Sequence, residues 1–248
     1  MKRGTITLLL AALALALGAC GSSDDDGITP APDGSSASTA ETTAADATTT
    51  TEAVAGADAV KGCTAVDKPA ARADGKLKAP TEKLSAAKTY TVTLKTNCGD
   101  VAIRLDVKRA PKTAASFASL VEKGFYDDLT FHRIVPGFVV QGGDPLGTGT
   151  GGSGYKVTEA PPSGLKYTKG IVAMAKGGDE AAGTSGSQFF IVTGDDVGLP
   201  PEYALVGTVT SGMDAVKKME AAPVGSDAAA PEAPDSPLVI EKATLAVK

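Results

Sequence analysis

The sequence has no tryptophan and a single histidine, and aromatic residues make up only 4% of its 248 positions. It also has no basic surplus, because its formal net charge is −5 at pH 7. That balance argues against a nucleic-acid-binding protein, whose surface normally carries an excess of lysine and arginine. Three cysteines and one histidine without close spacing give no metal-binding pattern. Apolar residues still reach 42%, which is enough for a substantial core.

The N-terminus has the pattern of an export signal. Lys2 and Arg3 precede an apolar run over residues 6–17, which is shorter than the roughly 20 residues that a membrane-spanning helix needs. The run closes with LGAC at Cys20, which is similar to the bacterial lipobox, where the cysteine is lipid-modified and becomes the first mature residue. We therefore predict a lipoprotein signal peptide over 1–19 and a lipid on Cys20. The alternative is an ordinary signal peptide with an incidental cysteine.

The next segment is acidic and of low complexity. Residues 21–60 contain eight acidic residues, no basic residue and no aromatic residue, and Thr, Ala and Ser are abundant. Such a composition cannot bury enough apolar surface to offset the entropy of ordering. We predict a disordered acidic tether over 20–60, followed by a connecting arm over 61–86. After residue 60 there are 21 acidic and 22 basic residues, so the remaining chain is close to neutral.

Two cysteines remain, Cys63 in the arm and Cys98 in the first predicted turn. Thiol pairs in exported proteins tend to become disulfides. We predict a bridge between these two residues, and the alternative is a pair of free thiols.

The pattern of the remaining chain predicts many short strands and two helices. Residues 89–95 and 101–105 alternate apolar and polar positions around turn residues 97–100, which is typical of a β-hairpin. A helix is predicted from Pro111 to Gly124 and a second from Met213 to Ala221, because apolar residues recur at helical spacing. Apolar runs at 129–135, 138–141, 155–159, 171–175, 188–193 and 204–209, and a last one at 238–247, predict further strands, and residues 223–237 a surface loop. This pattern favours a mainly β protein with an antiparallel, closed barrel.

Two motifs are misleading. Gly147, Gly149 and Gly152 satisfy a dinucleotide-binding glycine pattern, but prolines at 161 and 162 prevent the helix that such a site requires. Ser185 lies in a sequence that only partly matches a hydrolase nucleophile turn. A serine triad would have to use His132, which lies within an apolar strand, so we set this aside as well.

Three segments resemble the cyclophilins, which are peptidyl-prolyl cis/trans isomerases. They are FHRIVPGFVVQGGD at 131–144, GTGG at 149–152 and GTSGSQFFIVTGD at 183–195, and GIVAMA at 170–175 and LPPEYALVG at 199–207 also fit. The resemblance covers residues 87–248. It implies a closed eight-stranded antiparallel β-barrel capped by two α-helices, with the active site in a groove on the outer face.

The resemblance also implies a role for Arg133, a cation inside an apolar run. Rotation about an X-Pro bond breaks amide resonance, and the proline nitrogen regains its lone pair at the twisted midpoint. A guanidinium aimed at that nitrogen stabilises the transition state and not the planar ground state. We therefore predict that Arg133 is catalytic and that no metal or cofactor is needed. Taken alone, without the motif around it, Arg133 would be interpreted as part of a surface ion pair on a sheet.

The predicted substrate-binding residues follow from the same motifs. The set comprises a proline pocket of Phe138, Val139, Phe190 and Leu199, the orienting amide of Gln141, strand-end backbone at Ala175 and Lys176, the rim residue Gly149, and His132 and Tyr203 beside the site. Several positions depart from the common pattern, since many cyclophilins have methionine at Val139, asparagine at Lys176 and histidine at Tyr203. The tryptophan that helps the family hold cyclosporin is missing, and Val197 or Gly198 occupies that region, so we expect weak cyclosporin sensitivity.

These observations predict a lipid-anchored, extracytoplasmic isomerase that assists the folding of exported proteins. We expect a monomer that binds unfolded or flexible Pro-containing polypeptides and the membrane, but no nucleic acid. The main alternative is a non-catalytic module that binds Pro-containing peptides at the cell surface. A third hypothesis, a solute-binding lipoprotein, agrees with the predicted anchor only. The folded part is too small for the two lobes that such proteins usually have.

Overall fold

The computed structural model describes residues 60–248, so the predicted signal peptide, Cys20 and nearly all of the tether lie outside the described residues. Within residues 60–248, no helix is both long enough and apolar enough to cross a bilayer.

Ten strands and two helices follow one another along the described part of the chain. They are β1 (Tyr90–Thr96), β2 (Gly99–Leu105), α1 (Pro111–Glu122), β3 (Leu129–Val135), β4 (Val139–Gly142), β5 (Val157–Thr158), β6 (Ile171–Met174), β7 (Thr184–Ser185), β8 (Phe189–Val192), β9 (Leu205–Ser211), α2 (Met213–Glu220) and β10 (Val239–Val247).

Eight of these strands close into an antiparallel barrel in the order β1-β10-β3-β4-β8-β6-β9-β2. The predicted fold class, a closed eight-stranded barrel with two helices, is therefore confirmed. The run at 155–159 does not join the barrel, because only Val157 and Thr158 form a strand there, and they pair with β7 in a separate sheet. Strands of two residues leave too short a pattern for alternation to reveal.

The barrel is filled by side chains. Val92 and Leu94 of β1 and Val101 and Ile103 of β2 are completely buried, as the alternation of their hairpin predicts. The same core cluster includes residues of α1 and α2, such as Phe117 and Met219, so both helices cover it. Burial of this kind contributes about 25 cal/mol for each Å² of apolar surface and is the main stabilising term of the fold.

Helix α1 begins at Pro111, and the side chain of Glu159, from a later segment of the chain, lies at its N-terminus. The carboxylate of Glu159 accepts hydrogen bonds from the backbone N–H groups of Lys112 and Thr113, at 3.0 and 2.8 Å. A carboxylate is favourable there because the first N–H groups of a helix have no partner within it. Gly124 follows α1 at φ +65°, a conformation that glycine adopts without strain.

The arm before the barrel is attached to it at several places. Cys63 and Cys98 form the predicted disulfide, which joins the arm to the β1–β2 turn. Further along, the N–H of Gly75 donates to the carbonyl of Gly152 at 2.8 Å, and the N–H of Leu77 donates to that of Ser153 at 3.0 Å. The arm therefore lies against the loop 144–154.

Candidate active site

Four predicted or neighbouring site residues lie in a row across the barrel wall. Arg133 on β3 pairs with Gln141 on β4, Gln141 with Phe190 on β8, and Phe190 with Ala173 on β6. Residues directly opposite one another in antiparallel strands have Cβ atoms only about 4.5–5.5 Å apart. The barrel therefore brings together side chains that are up to 57 positions apart in the sequence.

The row lies on the outer face, where a second apolar cluster is separate from the barrel core. Along β8, Phe189 and Ile191 belong to the core, whereas Phe190 and Val192 belong to the outer cluster. The buried members of that cluster are Val139, Tyr167, Ala173, Phe190 and Val192, and the half-buried residues against it include Phe138, Ala175, Val197, Leu199 and Tyr203. All four residues predicted to form the proline pocket are in this set.

A bulge in β3 sets the direction of Arg133. Simple alternation would place Phe131 and Arg133 on one face and Ile134 on the other. That expectation is wrong, because Phe131 and Ile134 are both buried in the barrel core. The register with β4 shifts between Phe131 and Arg133, which inserts one extra residue and redirects the side chains after it.

The guanidinium of Arg133 is held by two side chains and lies near an aromatic ring. Its Nε donates to Glu232 at 2.5 Å, and its Nη1 donates to Gln141 at 3.3 Å. Its Cζ is 6.0 Å from the centroid of the Phe138 ring. Arg133 thus forms an ion pair, as the simpler interpretation of a strand arginine suggested, and also borders the apolar cluster.

Gln141 begins a directed series of hydrogen bonds. Its Oε1 accepts from Arg133, and its Nε2 donates to Oε1 of Gln188 at 3.1 Å. Nε2 of Gln188 then donates to the carbonyls of Gly149 and Gly151, both at 2.9 Å. Gln188 was missed by the sequence analysis, although its position next to the FF pair of the motif was a usable signal.

The loop 144–154, called the rim loop below because it carries the rim residue Gly149, is organised by a buried carboxylate. Asp144 is only 1% exposed and accepts from the N–H groups of Leu146, Thr148 and Gly149 at 2.8, 2.9 and 2.5 Å. Gly149 has φ +87°, so the turn suits a residue without a Cβ. Asp144 therefore holds Gly149 where its carbonyl meets Gln188.

His132 lies behind the rim. Neither of its ring nitrogens has a hydrogen-bond partner among the described residues. Burial lowers the pKa of the imidazole, the negative charge of Asp144 opposes this effect, and the positive charge of Arg133 adds to it. The ring is therefore favoured in its neutral form, which fits packing support more than proton transfer.

Aromatic rings form one wall of the outer cluster. Phe190 and Tyr203 meet edge to face with their centroids 5.4 Å apart, and Tyr167 meets Tyr203 at 6.0 Å. The hydroxyl of Tyr167 donates to the carbonyl of Tyr203 at 2.7 Å and accepts from its N–H at 3.0 Å. Tyr167 was not predicted, because its sequence surroundings carry no distinguishing pattern. It holds Tyr203, which stands against Phe190.

At the end of β6, the side chain of Lys176 turns inward. It is 4% exposed, pairs with Glu202 at 3.1 Å, and lies 5.8 Å from the centre of the Tyr203 ring. The N–H of Ala175 donates to the carbonyl of Gln188 at 2.9 Å. Lys176 therefore braces the loop that carries Tyr203 and does not project a charge into solvent.

A groove of about 890 Å³ continues from this end of the site. Gln141, Ala175 and Gln188 line it on the barrel side, and the rim loop and Asp74 of the arm line it elsewhere. Asp74 is anchored there because its carboxylate accepts from the N–H of Gly152 at 2.8 Å. The site thus joins an apolar slot to an open groove.

Together these features define a class: a closed antiparallel barrel with a groove on its outer wall, where a guanidinium lies at the edge of a small apolar slot. Residues 91–245 match the model of the family "Cyclophilin type peptidyl-prolyl cis-trans isomerase/CLD". The chain belongs to the cyclophilin-type peptidyl-prolyl cis-trans isomerases.

Relatives and solved structures agree. The chain is 42% identical to a peptidyl-prolyl cis-trans isomerase-like 1 of Gibberella zeae over 143 residues, 56% of this chain and 86% of that protein. It is 43% identical to a peptidyl-prolyl cis-trans isomerase of Helicobacter pylori over 126 residues, 50% of this chain and 76% of that one. A cyclophilin-type isomerase of Cryptosporidium parvum superposes with a TM-score of 0.58 at 31% identity, over 64% of this chain and 98% of its own.

The activity is therefore peptidyl-prolyl cis-trans isomerisation, as the sequence analysis predicted. The non-catalytic binding module is not favoured, since the relatives are themselves named isomerases. The Cryptosporidium parvum protein was also solved in the presence of the dipeptide Ala-Pro.

Proposed function

We propose that Arg133 is the catalytic residue of this isomerase and that the outer apolar cluster holds the proline ring of the substrate. The planar X-Pro bond has a rotation barrier of about 18–20 kcal/mol, because twisting removes amide resonance. At the twisted midpoint the proline nitrogen has a localised lone pair that can accept a hydrogen bond. A donor aimed at that nitrogen lowers the barrier, because it gains a partner only in the transition state.

One observation carries this proposal: the Arg133 guanidinium borders the apolar slot, with Cζ 6.0 Å from the Phe138 ring. A proline ring packed against Phe138, Val139 and Phe190 would bring its nitrogen to the edge where the guanidinium lies. An arginine stays protonated at all relevant pH values and offers donors in a rigid plane. A reduction of about 7 kcal/mol in the barrier corresponds to roughly 10⁵-fold acceleration.

The other predicted residues have supporting roles in this scheme. Gln141 holds the guanidinium on one side and can bind the substrate backbone, and Leu199 and Tyr203 extend the apolar wall. Backbone groups at Ala175 and Lys176 and the rim at Gly149 border the groove in which the residues before proline would lie. The reaction breaks no covalent bond, so no nucleophile, metal or cofactor takes part. The substrates are unfolded or flexible Pro-containing polypeptides.

A protease-coupled assay on a short X-Pro peptide tests the proposal. We expect Arg133→Ala to lose about 100-fold in kcat/KM, the order of magnitude that one well-placed donor supplies, while its affinity for the peptide changes only a few-fold. Arg104→Ala is the matched control, because Arg104 is an exposed arginine on β2. Equal activity of Arg133→Ala and the wild type would refute the catalytic role.

We also propose that the protein is an exported lipoprotein, anchored to the cell membrane through a lipid on Cys20, that assists the folding of exported proteins. The apolar run, the LGAC sequence and the acidic segment after it support this assignment. The Cys63–Cys98 disulfide supports it independently, because disulfides are rare in reducing compartments and frequent in exported proteins.

Fractionation and lipid labelling test the location. We expect the wild type to incorporate labelled palmitate in a bacterial host and to fractionate with membranes, whereas Cys20→Ser does neither. Labelling that persists in Cys20→Ser, or a wild type without label in the soluble fraction, would contradict the anchor while leaving the isomerase activity unaffected.

A further inference from the structure

The loop between α2 and β10, residues 221–238, is folded back on itself and docked on the active-site strand. The N–H of Asp235 donates to the carbonyl of Pro223 at 2.9 Å, and the carboxylate of Asp235 accepts from the N–H of Ser226 at 2.9 Å. An isolated bridge between Val224 and Pro234 joins the two arms of the loop. These contacts give the loop a defined shape.

One further backbone contact joins this loop to β3. The N–H of Ile134 donates to the carbonyl of Glu232 at 2.7 Å, so the loop extends the sheet pairing beyond the end of β10. Ile134 is the residue after Arg133. The backbone of Glu232 is therefore fixed beside the arginine, although the two residues are 99 positions apart.

The side chain of Glu232 then meets the arginine at a particular donor. Its Oε2 accepts from Nε of Arg133 at 2.5 Å, while Gln141 accepts from Nη1. A guanidinium has five N–H donors in a plane. Acceptors on Nε and on one terminal nitrogen fix the orientation of that plane and leave the other three N–H groups for a bound substrate.

The position of the pair argues against a role in stability. The two side chains are 33% and 47% exposed, and ion pairs exposed to this degree contribute little to the free energy of folding. A long, flexible arginine side chain nevertheless loses alternative orientations when a carboxylate holds it. Catalysis by an aimed donor depends on such preorganisation.

We propose that Glu232 is a positioning residue of the isomerase: it holds the Arg133 guanidinium in the plane in which the remaining donors reach the proline nitrogen of the twisted bond. This inference rests on the proposed catalytic role of Arg133. It gives the loop at 221–238 a function in the reaction, because the loop brings to the arginine an acid that no neighbouring residue in the sequence provides.

The test separates positioning from charge and from folding. We compare Glu232→Ala, Glu232→Gln and Asp227→Ala. The last is a matched loss of a carboxylate from the same loop, where the Asp227 side chain accepts from the N–H of Ala229. Positioning predicts that Glu232→Ala lowers kcat about 3- to 10-fold, with KM for an Ala-Pro peptide changed less than about twofold. Glu232→Gln keeps an acceptor for Nε and should recover most of the rate. Asp227→Ala should match the wild type, and the melting temperatures of all four proteins should agree closely.

Several results would overturn the inference. One is an unchanged kcat in Glu232→Ala. Another is a higher rate in both Glu232 variants, since the carboxylate would then weaken the field of the arginine. Equal losses in the Ala and Gln variants, or a loss that disappears after correction for the folded fraction, would also overturn it. A fully active Arg133→Ala would refute the proposed function itself, whichever result Glu232 gives.

Discussion

The side-chain amide of Gln141 donates to that of Gln188 at 3.1 Å, and this bond joins the arginine side of the site to the rim loop. Every bond in the series runs in one direction, from the Arg133 guanidinium through the two amides to the carbonyls of Gly149 and Gly151. Series of this kind polarise each of their members and hold them in one arrangement.

Gln188→Ala should slow the isomerase although Gln188 does not touch the guanidinium. The variant removes the acceptor of the Gln141 amide and the two hydrogen bonds that Gln188 donates to the carbonyls of Gly149 and Gly151. Each of these hydrogen bonds contributes about 0.5–1.5 kcal/mol. We expect kcat/KM to fall about 3- to 10-fold in the peptide assay. Thr150→Ala on the same rim is the control, because the hydroxyl of Thr150 is hydrogen-bonded to that of Thr148 and is not a member of the amide series. Identical rates for the two variants would show that the amide series does not orient Arg133.

Asp144→Ala should destabilise the protein strongly. The buried carboxylate accepts from three backbone N–H groups, which would be left without a partner inside the protein. We expect a loss of about 3 kcal/mol in the free energy of unfolding, measured by urea denaturation. Asp196→Ala removes an exposed carboxylate and should cost much less. If both variants unfolded at the same urea concentration, the rim would not depend on Asp144.

Folding stability should decrease on the acid side because of His132. Its pKa is lowered in the folded protein by burial, so the unfolded chain takes up the proton first as the pH falls below about 6.5. Stability is therefore lost as the pH falls from the unfolded pKa through the lower folded pKa. His132 is the single histidine of the sequence, so His132→Gln isolates this contribution. We expect urea denaturation at pH 7.5 and 5.0 to show a smaller difference in the variant, and equal differences would contradict the shift.

Removal of the disulfide should lower stability without changing the chemistry. Cys63 and Cys98 close a loop with a sequence separation of 35, which corresponds to about 4 kcal/mol in the chain-entropy treatment. The double variant Cys63→Ser/Cys98→Ser should melt at a lower temperature, and a reducing agent should lower the melting temperature of the wild type alone. Per folded molecule, kcat/KM should be unchanged. A double variant as stable as the wild type would disprove this contribution.

Cyclosporin should inhibit weakly. The sequence has no tryptophan, and Val197 packs as a half-buried residue against the outer apolar cluster in the region expected for that side chain. Val197→Trp should lower the inhibitory concentration, because it restores a large ring with an N–H donor at the pocket edge. Inhibition of the wild type at low nanomolar concentrations would contradict the prediction.

The sequence alone was sufficient for the elements whose signals are local. The β1–β2 hairpin follows from strict alternation, and α1 and α2 follow from helical spacing with Pro111 and Gly124 at the ends of α1. The apolar members of the site were also predictable, since Phe138, Val139 and Phe190 lie in a highly specific motif. Such features depend on residues within a few positions of one another, where periodicity and turn chemistry are informative.

Tertiary structure decided everything that depends on distant pairing. The bulge between Phe131 and Arg133 determines which way the arginine points, and it exists only because β3 pairs with β4 in a shifted register. Glu232 reaches Arg133, and Asp74 reaches the groove, through loops whose course no local pattern specifies. An arginine with no acid nearby in the sequence thus acquires one in space, because closing the barrel brings residues 99 positions apart into contact.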